Sequence, residues 1–293
     1  MAYVWMLIGS IAFAFMALLT ESLREQFSFP WITIVRSGVA TILALGLAMV
    51  FRAQLVFLRP GSLWVRSISG WLAMICGFYA MTHYDVEIVL ALTNMYPLWV
   101  AVLSWPLLRV MPSWRTWVAL VISCVGMWIV YTSAIQPVRM VSSDLHVPEV
   151  AIPLAVLAAI LSGVALINLH KVRSIDPRAI VTHFSGVATF CSLLVWIFLP
   201  VSLPTREVDS ISIWSLIGVG VAATIGQLCL TRAFAAGPPA RVSVVGLSQV
   251  VVAGLMKWIL EGRIPSMGSL VGMSLVLGAT VWVIVGGDNA KKL

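Results

Sequence analysis

Apolar residues run through this chain in blocks of about 20, separated by short polar stretches. A block of that length crosses the hydrocarbon core of a bilayer as one helix. The pattern predicts ten spans, at roughly 3–20, 30–51, 64–83, 87–107, 114–133, 149–169, 178–200, 211–234, 241–260 and 266–286. Most connections are short. The longest, 134–148, carries Gln136, Pro137, Arg139, Asp144 and Pro148 and divides the chain near its middle. The opening MAYVWML has no basic stretch, which predicts a retained span and not a cleaved signal.

Composition agrees. The chain is 61% hydrophobic and 10% charged, with a mean hydropathy of +1.03. A water-facing surface needs far more charge than this. Cys76, Cys124, Cys191 and Cys229 all lie in apolar runs and form no CxxC pair, so they read as small packing residues. His83, His146, His170 and His183 make no HxxxH or HExxH pattern. No metal site, cofactor or catalytic set is expected, and the chain is not expected to be an enzyme.

The net charge of +7 would suggest nucleic acid in a soluble protein. Here it reads as orientation, because cytoplasmic loops accumulate Lys and Arg. One side collects twelve: Arg52, Arg59, Arg66, Arg109, Arg115, Lys171, Arg173, Arg178, Arg232, Arg241, Lys291 and Lys292. The other collects Arg24, Arg139, Arg206 and Arg263. Both termini are therefore expected in the cytoplasm, and no nucleic-acid partner is expected.

The chain also repeats itself. Tyr79–Pro112 (YAMTHYDVEIVLALTNMYPLWVAVLSWPLLRVMP) returns 153 positions later as Arg232–Pro265. In that register Ala80 falls on Ala233, Val89 on Val242, Trp105 on Trp258, and Pro112-Ser113 on Pro265-Ser266. Ser37-Gly38-Val39-Ala40-Thr41 recurs at an offset of 148 as Ser185-Gly186-Val187-Ala188-Thr189. Five spans per half is an odd number, so the second half enters the membrane from the opposite side. The expected fold is all-α: ten transmembrane helices as two inverted five-helix repeats. Its divisions are 1–133, an extracytoplasmic linker at 134–148, 149–287, and a cytoplasmic tail at 288–293. Inverted repeats supply two nearly equivalent packings of one chain, the physical basis of alternating access.

Candidate chemistry lies inside the spans. Pro97 interrupts span 4, with Asn94 one turn before it and Tyr96 and Trp99 on a face roughly opposite Asn94. Either the aromatics form the wall of a cavity or Asn94 is its polar contact. Arg36 lies about two turns into span 2, and a charge buried in a span marks function by default. Lys257 can instead snorkel or pair with Glu261. The repeat maps Arg36 onto Phe184, beside His183, and Tyr96 onto Gln249. Thr224, Gln227 and Thr231 form a polar stripe in span 8; Cys76, Tyr79 and His83 share a face of span 3. The expected substrate-binding set is Arg36, Tyr79, Asn94, Tyr96, Trp99, His183, Gln227 and Gln249. Polar stripes also glue helices together, and a membrane histidine also serves as a packed, satisfied residue. No Asp or Glu lies deep in a span, which points to facilitated diffusion or exchange and not to proton coupling through a buried acid.

Several stretches carry a family resemblance: FSFPWITIVRSGVA opening span 2, ALTNMYPLWVAVLS with its proline, and the closings RVMPSWRTWVALVISCVGMWIV and GRIPSMGSLVGMSLVLGATVWVI. Over nearly its whole length the chain resembles the drug/metabolite transporter superfamily, in particular the ten-helix EamA-type exporters. It departs where members commonly have a Glu two positions before the proline of helices 5 and 10: Val110 and Arg263 stand there. The span 4 proline also has no mate in span 9, where Val250 stands. The resemblance implies a central cavity between the first four helices of each half, and export of amino acids or related metabolites in many members. The expected function is an inner-membrane alternating-access exporter or exchanger of small amphiphilic, carboxylate-bearing metabolites, working as a monomer or weak homodimer among membrane lipids. The alternative is a lipid or lysolipid flippase on the same fold.

Overall fold

Residues 1–23, 26–83, 86–134, 150–198, 209–262 and 264–286 are described in this computed structural model. Asp85, the 134–148 linker beyond Ala134, the Glu261 side chain and the 288–293 tail, to which expectations attach, lie outside the described residues.

A chain in hydrocarbon must satisfy its backbone N–H and C=O groups internally, and the helix does so within one segment. The described residues accordingly form helices and no strand: α1 (Ala2–Leu23), α2 (Phe29–Val50), α3 (Gly61–His83), α4 (Val86–Thr93), α5 (Tyr96–Leu108), α6 (Trp114–Ala134), α7 (Ala151–Lys171), α8 (Pro177–Phe198), α9 (Ser210–Ala236), α10 (Pro239–Gly246), α11 (Ser248–Glu261) and α12 (Met267–Gly286). They make ten membrane-length apolar spans, because α4–α5 and α10–α11 are each one span in two pieces.

Local chemistry sets the ends. Pro30 and Pro177 sit in first helical turns, where a missing N–H costs nothing. Asp209 caps α9 by accepting from the Ser212 N–H at 2.9 Å. The Ser212 hydroxyl and backbone N–H hold the Asp209 carboxyl below its usual range. Its contribution is therefore present above the unfolded carboxylate value, about 3.9, and is lost as pH falls through the lower folded value. Asp209→Ala should lower the melting temperature at pH 6, and this gap should close in strong acid. An equal gap across a pH series would contradict the cap.

The helices gather into two compact units, Met1–Trp71 with Ala165–Pro238, and Leu72–Val164 with Pro239–Leu293. In the first unit, α1 and α9 pack antiparallel. Arg232 lies 4.6 Å over the Trp5 ring, and the approaches of Phe13 to Gly226 and Leu19 to Gly218 follow along the same seam. α2 and α8 are also antiparallel: Trp31 meets Trp196 at 6.1 Å, Thr41 meets Thr189 at 3.0 Å, and Arg178 lies 4.1 Å over Phe51. One end of the unit is closed by a cluster of Leu23, Phe27, Ile32, Leu216 and Val219.

The second unit is built on α6 against α12. Gly126 and Gly272 cross so closely that a Cβ on Gly126 would stand 2.7 Å from the Gly272 carbonyl. Small residues at such crossings let helix backbones approach, which is how membrane helices gain packing energy without a hydrophobic drive. Met127, Val130, Leu247, Val250, Val251, Met273 and Val276 form the adjoining core, with Met95, Tyr96 and Tyr131 against it.

Several positions related by the sequence offsets share a local conformation. The C-caps of α5 and α11, Arg109 and Gly262, are both left-handed, at φ 57° and 67°. Ser113 accepts from the Thr116 N–H before α6, and Ser266 from the Ser269 N–H before α12. Both pairs of positions are 153 apart. Thr41 and Thr189, 148 apart, touch each other, and each also donates to the carbonyl four residues back.

Candidate functional site

Span 4 is interrupted between Thr93 and Tyr96, as Pro97 predicts. A proline has no N–H to offer the preceding turn, and here the chain tightens. The Met95 N–H donates to Leu92 O and the Leu98 N–H to Met95 O, both at 3.1 Å and three residues back. Span 9 is interrupted at Leu247, within one residue of the equivalent point, although no proline stands there. The Leu247 N–H donates to Val244 O at 3.1 Å and the Val250 N–H to Leu247 O at 3.0 Å. The Ser248 hydroxyl at this break is buried and has no hydrogen-bond partner among the described residues. In transporters, paired breaks of this kind form substrate sites.

The break orients span 4. Asn94 is buried, and its Nδ2 donates to Leu90 O at 2.9 Å and to the Tyr131 hydroxyl at 3.1 Å, so it ties the break to α6. Trp99 looks elsewhere. With Leu92, Met95, Leu98, Val102, Trp117, Val156 and Ala159 it lines a mostly apolar cavity of ≈ 340 Å³, within the size range of ligand sites. Gly163 lets Trp99 lie close to α7: a Cβ there would stand 2.9 Å from Trp99 Cβ. Tyr96 packs against the Leu247–Val250–Val251 cluster instead of entering the cavity. Gln249 is half-buried with no hydrogen bond among the described residues. Tyr79 is stacked on His83, ring centroids 4.3 Å apart, as their shared face predicts.

The remaining candidates fall in the first unit. Arg36 is half-buried. His183 is buried and satisfied at both ring nitrogens, with the Ser67 hydroxyl 2.8 Å from Nδ1 and Phe57 O 3.2 Å from Nε2. Trp64 meets its ring edge-on at 4.8 Å. Of the span 8 stripe, Thr224 and Thr231 donate back into their own helix, while Gln227 accepts from Arg66 Nη2 at 2.9 Å.

Arg66 is the residue that sequence reasoning missed, because it was counted with the loop cations that set topology. It is only 3% exposed. Its guanidinium lies 4.1 Å over the Phe184 ring, and its Nε is buried without a partner. Gly70 clears the space, since a Cβ there would stand 2.6 Å from Arg66 Nη1. The available signal was its place one turn inside an apolar run, with a glycine four residues on. The span 9 break had fainter cues in Gly246 and Ser248.

The sequence model of the EamA-like transporter family matches residues 1–132 and 150–285. The chain belongs to this family. Among its relatives, the pseudopaline exporter CntI of Pseudomonas aeruginosa is 25% identical over 280 residues, 94% of this chain and 92% of that protein. An uncharacterized transporter of Helicobacter pylori is 22% identical over 281 residues, 92% of this chain and 90% of that one. A protein of known crystal structure shares the fold at a TM-score of 0.83, covering 99% of this chain and 98% of its own at 14% identity. This EamA-like protein is thus a multi-pass membrane transporter for small molecules, with a named exporter among its relatives.

Proposed function

We propose that this EamA-like protein is an inner-membrane, alternating-access exporter or exchanger of small amphiphilic metabolites that carry a carboxylate. The observation that carries the reading is the pair of helix breaks, at Asn94-Met95 and at Leu247, within one residue of an offset of 153. Repeat-mates α2 and α8 run antiparallel, and one family model matches both halves, which supports an inverted repeat divided at the 134–148 linker with both termini cytoplasmic. Such a repeat has two packings of similar energy, and exchanging them moves the opening from one face to the other.

Among the candidates, Trp99, Tyr79 and Gln249 of the second unit suit the apolar and polar body of such a substrate, and Arg36 of the first unit suits its anionic end. Asn94, Tyr96 and His183 shape the surrounding packing. The exporter relative supports the direction of transport. The apolar cavity lined by Trp99 favours a second reading, a lipid or lysolipid flippase.

A thermal-shift panel of amino acids, organic acids, nucleosides and lysolipids separates these. A ligand at a hundred times its Kd stabilises by about 2.7 kcal/mol. A shift with amino or organic acids is expected, and a shift with lysolipids alone would favour the flippase. With a responding compound, Arg36→Ala should cut proteoliposome flux at least about tenfold, a loss of about 1.4 kcal/mol, without loss of folded protein. Wild-type flux would remove Arg36 from the site.

A further inference from the structure

Arg66 is a cation almost wholly removed from solvent within an apolar span, and no carboxylate oxygen among the described residues lies within 4.0 Å of it. An ion pair among those residues, Arg178–Asp176, lies elsewhere. A buried guanidinium is normally neutralised by an acid, because burying an unpaired charge is costly. Here it has an aromatic face beneath it, one neutral amide oxygen from Gln227, and an Nε–H left over. That is a fork of donors with a single neutral acceptor, the geometry that suits a planar carboxylate.

The repeat gives this position a counterpart. Arg36 maps onto Phe184, the ring under Arg66, at an offset of 148. Arg66 maps onto Val219 at an offset of 153, and Val219 packs beside Ile32 and Val35 of the helix that carries Arg36. Arg66 of α3 therefore stands against α8, and Arg36 stands on α2, next to Val35, which packs against the Val219 cluster. α3 runs parallel to α8 (Arg66 beside Phe184, Trp71 donating to Ser192), and α8 runs antiparallel to α2. The two arginines thus lie near opposite ends of the span, about 15 Å apart at 1.5 Å per residue.

We propose that Arg66 is the second anion station of this transporter, a specificity-determining residue that takes the substrate carboxylate at the end of the span opposite Arg36. In the conformation described, Gln227 Oε1 holds the place of a substrate oxygen. The carboxylate displaces it and takes the Nε–H and Nη2–H donors together. The inference rests on the carboxylate-exporter reading above.

Its test is Gln227→Glu, which puts a built-in carboxylate on Arg66. The variant should be more heat-stable than wild type and self-blocked. The readout is the metabolite profile of the medium around cells expressing the chain, against cells with empty vector. Wild type should enrich carboxylates, and Gln227→Glu should reduce that enrichment at least about tenfold. Arg66→Gln, scaled to folded protein by fluorescence size exclusion, should lower the ratio of carboxylates to neutral compounds. A merely structural arginine would lower both alike. Should Gln227→Glu not fold, the Arg66→Gln ratio decides. Wild-type carboxylate export by folded Gln227→Glu, or an unchanged ratio in Arg66→Gln, overturns the inference and leaves the exporter reading standing. A wild-type medium without carboxylate enrichment sinks both.

Discussion

Gly272→Val should yield no monodisperse folded protein. The α6–α12 crossing is backbone on backbone: a Cβ on Gly272 would stand well inside van der Waals contact with the Gly126 carbonyl oxygen and 2.9 Å from the Val130 nitrogen. Side chains can turn away from an intruder, whereas two helix backbones must move apart as rods. Overpacking ordinarily costs about 1–3 kcal/mol, and Gly272→Ala belongs in that range. The two further methyl groups of valine push the helices apart along the seam and take the cost to at least about 3 kcal/mol, a large share of a typical total stability. Gly278→Ala is the control, because a Cβ there meets nothing within 4 Å. It should be neutral or stabilise by about 0.5–1 kcal/mol through helix propensity. Detergent melting curves with size-exclusion profiles measure all three. A well-folded Gly272→Val would mean that α6 and α12 do not cross at these glycines.

Asn94→Leu is expected to cost about 1–3 kcal/mol, the penalty for deleting one partner of a buried hydrogen bond. The amide donates to Leu90 O and to Tyr131 Oη, so its loss frees the span 4 break from α6. A cycle with Tyr131→Phe separates the two bonds. The coupling between the positions should be about 0.5–1.5 kcal/mol, as for residues that share a hydrogen bond. Additive effects in chemical or thermal melts would show that Asn94 acts through Leu90 alone.

These two predictions differ in how far the sequence leads to them. The Pro-Ser punctuation of the two stretches is visible in one dimension: Pro112-Ser113 and Pro265-Ser266 stand before two helix starts, and each serine hydroxyl accepts from the N–H three residues on. The break at Pro97 is equally plain, because proline acts on its own turn. The break at Leu247 is not, since Gly246 and Ser248 weaken a helix without stopping it and the packing of Leu247 against α6 and α12 completes the interruption. Span 4 presents two faces, Asn94 on one and Tyr96 with Trp99 on the other, and periodicity cannot say which neighbour occupies each. Only the approach of Tyr131 decides.

Arg66 shows the same boundary from the electrostatic side. Counting cations assigns a charge near a span end to the loop, and a long side chain there ordinarily reaches out to water. Whether it does so depends on what packs around it. Phe184, Gln227 and the gap at Gly70 come from α8, α9 and α3 and hold the guanidinium inward.

By itself the sequence determined ten apolar runs long enough to cross a membrane, a likeness between stretches 148 and 153 positions apart, and which family the chain resembles. Those properties follow from run length, composition and register, which are summed along the chain and need no partner. The tertiary structure alone decided which polar groups are spent on one another and which are left over. His183 and Asn94 are satisfied, while Arg66 and Ser248 keep unused buried hydrogen-bonding atoms. That outcome depends on side chains distant in sequence meeting within about 3 Å, a distance that no pattern along one strand of sequence encodes.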